Sequence, residues 1–458
     1  MRYLIRNGTL VDPMHRTTTR SDLLVSNGLI EQLIVPSDTQ RIADATAEVI
    51  DAQGCFIAPG FVDLHVQLRE PGEEQKETIA SGSMAAAAGG FTTICALPTS
   101  RPSHDSAAVI EHVRAIARRE GRVRVELIGA LTRGREGSAL ADMIELAEAG
   151  CVAFSDGGRT LADAGLMRHA LAYAAALDLP ILVHCEEPRL SAGWAMHEGV
   201  VSTRLGLPGF PSAAEEAIIA RDIALAEATG ARLHICQVSS AGGVALIRAA
   251  KLRGVQVTAD VTPHHLVLNE TWVLGSLGAP SRASHPAWLD PTLLPPYAPA
   301  TRVAPPLRTT EDNAALLAGL RDGTIDAIAS GHTPQARVDK ECEYALAAPG
   351  INALETALGL LMGLVRHGDL DLLSMITRLT EGPTRILGRT LGALQPGTAA
   401  DLVIVDPEHA WRVDATRFIS RGYGSPLHGQ QLSGRVMLTM SAGRIAYQHA
   451  GFAPAHQL

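Results

Sequence analysis

Apolar runs of strand length alternate with longer amphipathic stretches through most of the chain. Eight runs read as strands: Phe61–Gln67, Phe91–Leu97, Val123–Ile128, Cys151–Ser155, Ile181–His184, Arg232–Val238, Val255–Asp260 and Asp326–Ser330. The segments between them carry helical patterns, clearest over Ala213–Thr229, where Ser212 and Glu215 are placed for a capping box and Gly230 for a C-terminal stop. Eight strand–helix alternations predict an α/β fold, a (β/α)8 (TIM) barrel of parallel strands inside a ring of helices.

The two ends break this pattern. Short strand-like pieces occur at Tyr3–Ile5, Leu23–Val25, Ile30–Ile34 and Val49–Ile50, and again at Leu402–Val405, Val436–Met440 and Arg444–Tyr447. An isolated short sheet buries too little surface to be stable. The ends are therefore expected to pair into one small β-sandwich domain, residues 1–58 with 392–458, beside a barrel of residues 59–391. The segment Gly275–Pro306 is irregular and rich in Pro, Ala and Ser. A partner-contacting loop and a mobile insertion both fit its composition.

Composition narrows the function classes. The chain has 458 residues, 46% of them hydrophobic, enough for a sizeable core. A net charge of -9 builds no basic field, so neither nucleic acid nor an anionic membrane is an expected partner. No run is apolar enough to span a bilayer, and no apolar run follows Arg2 and Arg6 as a signal peptide would require. Six dispersed cysteines without a CxxC pair fit reduced thiols, so a cytoplasmic location is expected.

Working residues of such barrels sit at the C-terminal ends of strands. In the first strand Asp63, His65 and Gln67 share one face, and Arg69 follows at the rim. Histidines at both 65 and 67 would make a two-imidazole chelate, but Gln67 is a neutral amide and a poor zinc ligand.

Ala58-Pro59-Gly60-Phe61-Val62-Asp63-Leu64-His65 followed by Leu68-Arg69-Glu70-Pro71-Gly72 resembles the dihydroorotase family of the amidohydrolase superfamily. So do Val183-His184-Cys185-Glu186, Val261-Thr262-Pro263-His264-His265, Pro305-Pro306-Leu307-Arg308, Leu354-Glu355-Thr356-Ala357 and Gly397-Thr398-Ala399-Ala400-Asp401-Leu402-Val403. The resemblance implies zinc-activated water attacking a ring amide, with an Asp after the eighth strand moving the proton. It implies metal ligands at six positions. His65 and His184 are kept, whereas Gln67, Gly157, Gln237 and Gly331 stand where ligands are expected. No lysine lies near the fourth strand to be carbamylated, since lysine occurs only at 76, 251 and 340. The substrate carboxylate would be held by Arg69, while its companion positions carry Thr99, Ala304 and Gln335.

These losses lead to the expectation of a chain that is not an enzyme, with no cofactor. The resemblance then implies a homo-oligomeric, structural partner of the aspartate carbamoyltransferase catalytic subunit in pyrimidine biosynthesis. The alternative is a working cyclic amide hydrolase with a remodelled single-zinc site around His65, Asp156 and His184. His234, Cys236, His264 and His265 read as packing or hydrogen-bonding residues, and for Arg69 a buried ion pair competes with ligand binding.

Overall fold

The computed structural model describes residues 2–35, 47–278, 286, 288–389 and 393–452. Its centre is a near-closed barrel of eight parallel strands, in sequence order around the sheet. They are Phe61–Val66, Phe91–Ala96, Arg124–Ala130, Ala153–Ser155, Ile181–Val183, Leu233–Ile235, Val257–Val261 and Ala327–Ile328. Each expected strand is present with its ends moved by a few residues: most are shorter than expected, while the third and seventh run on past their expected ends to Ala130 and Val261. The seam between last and first strands is held by a parallel bridge between Val66 and His332 and by Gln67 N–H donating to the His332 carbonyl (3.0 Å). Ser330 N–H adds a bond to Asp63 Oδ1 (3.0 Å).

The ends of the chain form two further sheets. One is four-stranded, built from Leu29–Ile34, Asp22–Ser26, Arg2–Arg6 and Glu48–Asp51. The other has six strands and joins both ends of the chain: Leu402–Arg412 runs antiparallel to Phe56–Pro59, pairing Leu402 with Pro59 and Val405 with Phe56. Ile5, Leu23, Val25 and Ile30 of the first sheet share one apolar core with Leu10, Ile57, Leu402 and Ile404 of the second. Burying that common face stabilises two sheets that could not persist singly. Residues 391 and 392, where the barrel was expected to end, and residues 453–458 lie outside the described residues.

The helix Ser212–Thr229 ends on Gly230 with φ 68, as its glycine implies. Its start differs from the capping-box expectation. Pro211 is the N-cap and Ser212 is already helical. Glu215 is drawn instead into a buried cluster with Arg308 Nη2 (2.7 Å) and the Ser239 hydroxyl. A buried guanidinium needs a carboxylate more than a helix end does. Within Gly275–Pro306, residues 279–285 and 287 lie outside the described residues. The rest carries short 3-10 turns at Pro291–Leu293 and Pro299–Thr301, and Val303 and Ala304 reach the site.

Candidate active site

A cavity of about 430 Å³ opens at the C-terminal ends of the barrel strands. Its wall includes His65, Gln67 and Arg69 after the first strand, Thr99 after the second, Gly157 after the fourth and His184 after the fifth. Gln237, His264 and Gly331 complete it after the sixth, seventh and eighth, joined by Ala304 and Gln335 from loops. Every sequence-predicted site position therefore converges here except Asp156.

Asp156 is occupied elsewhere. Its Oδ1 accepts N–H bonds from Leu131 and Thr132 (3.0 Å each), and Oδ2 accepts the Thr132 hydroxyl (2.6 Å). It borders an adjoining cleft, not the main cavity. The single-zinc arrangement of His65, Asp156 and His184 is thus not formed, because the carboxylate is consumed in ordering the loop after the third strand.

His65 is almost fully buried, and its Nδ1 has no hydrogen-bond partner among the described residues. Burial pushes its pKa down to about 4, so the imidazole is neutral at pH 7. His184 Nε2 lies 3.1 Å from Glu186 Oε2, and its Nδ1 likewise lacks a partner. Burial raises the Glu186 carboxyl, but His184, the Ser191 hydroxyl (2.6 Å) and Trp194 Nε1–H (3.2 Å) outweigh it and hold the group below the usual carboxylate range.

His265 is structural, as expected: its Nε2–H donates to the Pro305 carbonyl (2.9 Å) and Nδ1 accepts from the Thr262 hydroxyl (2.7 Å). His264 lines the cavity instead, held well below the ordinary imidazole pKa by burial and by neighbouring His265 and His65. His332, which follows Gly331, is turned from the cavity, pairing Nε2 with Glu77 (3.2 Å) and Nδ1 with the Ala353 N–H (3.2 Å).

The positions read as degraded are packed as such. Gln67 Nε2–H donates to Thr333 Oγ1 (3.3 Å). Gly157 and Gly331 both have positive φ, 41 and 68. A Cβ on Gly331 would lie 2.6 Å from Gln237 Nε2. Among the described residues, the one trio of metal-ligating side chains with all donor atoms within 4.8 Å is His234, Cys236 and Asp260. It is buried and internally bonded: His234 reaches Asp260 (2.9 Å) and Thr258 (2.9 Å), while Asp260 accepts from Gln237 N–H (2.8 Å). The cavity's donor set therefore does not fit the two-zinc centre that the resemblance implies.

Arg69 combines both roles left open for it. Its Nη1 pairs with Glu73 (3.3 Å), and its buried Nε has no partner among the described residues, in the cavity wall. Thr99 Oγ1 and Gln335 Oε1 are also buried without partners. Sequence reading missed Glu186 as the partner of His184, and Arg135 and Arg159 in the wall. Arg159 could have been found from its place three residues beyond the fourth strand's last acid, whereas nothing in the sequence marks Arg135.

Such a barrel, with a two-sheet appendage and histidines from the first and fifth strands facing one mouth, defines an amidohydrolase-type protein. Residues 54–242 match the family model described as "Dihydro-orotase-like". The chain is 45% identical to a dihydroorotase of Pelotomaculum thermopropionicum over 98% of this chain and 99% of that one. It is 43% identical to a dihydroorotase of Syntrophus aciditrophicus over 98% and 100%. The L-hydantoinase (dihydropyrimidinase) of Arthrobacter aurescens superposes with a TM-score of 0.82 at 26% identity, covering 97% of this chain and 96% of that one. The chain belongs to the dihydroorotase family.

These relatives overturn the expectation of a chain that is not an enzyme. Full-length similarity to dihydroorotases, with a hydantoinase as structural neighbour, points to a working cyclic amidohydrolase. The physical reason the sequence misled is that losing metal ligands was equated with losing the site. The cavity, Arg69 and the His184–Glu186 pair all persist.

Five of the six cysteines are buried and all six are free thiols. Among the described residues no helix is long and apolar enough to cross a membrane.

Proposed function

We propose that the chain is a cyclic amide hydrolase of the dihydroorotase type, opening a carboxylate-bearing ring in pyrimidine biosynthesis. The observation that carries this reading is the end-to-end 45% identity to a dihydroorotase, with Arg69 kept in the cavity. Arg69 binds the ring carboxylate by charge-assisted hydrogen bonds. His184 gives Nε2–H to Glu186 and keeps a lone pair on Nδ1. That nitrogen takes a proton from water as its oxygen bonds to the amide carbon. The proton then passes to the ring nitrogen as the C–N bond breaks.

Two zincs would supply Lewis-acid activation, but the donors here do not suit them, so the steps rest on this chain's own groups. With Gly331 in place of the proton-moving carboxylate, turnover is expected to fall below that of a complete site by roughly 10²–10⁴-fold. The test is ring opening of dihydroorotate and closure of carbamoyl-aspartate by the purified chain, before and after chelation, with elemental analysis. Turnover that survives chelation and vanishes in His184→Ala supports the reading. A rate in both directions no higher than that of His184→Ala overturns it.

The resemblance also motivates an assembly proposal: homo-oligomers of this chain bind the aspartate carbamoyltransferase catalytic subunit. Co-purification of the two from a shared expression host supports it, and separate elution of both counts against it.

A further inference from the structure

Lysine occurs at three positions, and the fold treats one of them differently from the others. Lys76 Nζ pairs with Glu73 (3.2 Å) and Asp339 (3.4 Å), and Lys251 Nζ pairs with Asp326 (2.5 Å). Lys340 is only 4% exposed, yet it forms no ion pair among the described residues. The acids that flank it in sequence are engaged elsewhere. Asp339 serves Lys76, and Glu341 pairs with Arg337 (2.7 Å) and accepts the Tyr423 hydroxyl (2.6 Å). The neighbouring charge that acts on Lys340 most strongly is positive: the guanidinium of Arg302, held by the Tyr344 (2.8 Å) and Trp194 (3.0 Å) carbonyls.

Hydrogen bonding points the same way. Lys340 Nζ–H groups donate to the Pro299 carbonyl (3.0 Å) and the Arg302 carbonyl (3.1 Å). A neutral amine has two hydrogens, so these carbonyls satisfy both and a lone pair is left on nitrogen. An ammonium would bring a third N–H and a full charge to a place where the described residues offer no further acceptor and no counter-ion. Burial first, and then Arg302, push the Lys340 amine down from 10.5 to about 7. Lys340 also lines a cavity of about 500 Å³ whose wall is largely apolar, with Leu294, Pro295, Ala298, Pro299 and Tyr423 among its members. This cavity shares no lining residue with the one at the barrel mouth.

We propose that Lys340 is a covalent capture site for an apolar aldehyde or ketone, held as a reversible imine in this second cavity. The Nζ lone pair attacks the carbonyl carbon. Both amine hydrogens then leave with the carbonyl oxygen as water, so a C=N bond replaces C=O with no net oxidation or reduction. Protonation of the product restores one N–H, which one of the two backbone carbonyls accepts. The hydrocarbon part of the ligand is buried against Leu294, Pro295 and Ala298. Lys76 and Lys251 do not compete, because an ammonium paired with a carboxylate has no lone pair to give. The site stands apart from the barrel mouth, so it holds or fails independently of the hydrolase reading.

Reductive trapping tests it on the full chain. Hexanal and cyanoborohydride at pH 7 convert each imine into a stable hexylamine, and peptide mass spectrometry locates the label. Early in the reaction Lys340 is expected to be labelled about tenfold or more faster than Lys76 or Lys251, which serve as references within the same molecule. Glyoxylate, an aldehyde bearing a carboxylate that an apolar wall disfavours, should give a smaller ratio of Lys340 to Lys251 label. Ala300→Leu narrows the cavity and leaves the amine in place. It is expected to slow hexanal labelling at Lys340 several-fold and to leave Lys76 and Lys251 unchanged. Equal labelling of the three lysines, the same Lys340-to-Lys251 ratio with both aldehydes, or Lys340 labelling untouched by Ala300→Leu overturns the proposal.

Discussion

Gln237 fills the space into which a side chain at position 331 would project. A Cβ on Gly331 would sit 2.6 Å from Gln237 Nε2, 2.8 Å from Thr262 Cγ2 and 3.2 Å from His264 Cε1. Position 331 also has φ 68, a conformation that glycine adopts freely and other residues rarely do. The sixth and eighth strand ends are thus packed directly against each other.

Restoring the carboxylate alone therefore fails. Gly331→Asp is expected to destabilise the protein by roughly 1–3 kcal/mol, through overpacking and backbone strain, and to give no gain in turnover. Pairing it with Gln237→Ala removes the nearest clash and is expected to recover part of that loss. Urea unfolding of both variants measures this, and an unchanged midpoint for Gly331→Asp alone would contradict it.

The Arg308–Glu215 pair fixes the barrel's outer layer from within. Both side chains are almost fully buried, 2.7 Å apart, and Arg308 Nε–H also donates to the Ser239 hydroxyl (2.6 Å). Removing one partner strands the other's charge, so Glu215→Ala is expected to cost about 3–5 kcal/mol. Replacing both with apolar residues should cost less. The comparison of single and double variants in denaturant decides it.

The architecture was legible because periodicity reports burial: each of the eight apolar runs became a barrel strand, with ends off by a few residues. His65, His184, Gln237 and Gly331 were found because strand ends in such a barrel point to one mouth. Asp156 was misplaced because side-chain alternation cannot foresee that Thr132 and two backbone N–H groups would claim its oxygens. Arg135 was invisible for a related reason. Its guanidinium reaches the cavity through carbonyl contacts made by a turn, and turns leave little periodic trace.

Acid weakens this fold partly through its neutral buried histidines. His104 is buried, its Nδ1–H donating to the Ile128 carbonyl (3.0 Å), and burial lowers its pKa from 6.5 to about 4. Between those values the unfolded chain binds more protons than the folded one, so this contribution to stability is lost as pH falls from 6.5 towards about 4. Glu355, raised to about 7 mainly by burial, acts with the opposite sign, so the histidine must be isolated by a variant. His104→Gln is expected to narrow its stability deficit against the native chain as pH drops through that window. A deficit constant from pH 7 to 4 would contradict the assignment.

The last expectation concerns how Glu186 acts through His184. The carboxylate accepts the His184 Nε2–H (3.1 Å) and is itself held by Ser191 and Trp194, so it sets which ring nitrogen keeps the lone pair. It also stabilises the imidazolium formed when water loses its proton. Glu186→Gln keeps the shape but removes the charge. Turnover is expected to fall roughly ten- to a hundredfold, less than on removing the imidazole itself, with KM little changed because Glu186 does not line the main cavity. A rise in KM with kcat unchanged would make Glu186 a packing residue, and His184 would then need another partner to act as base.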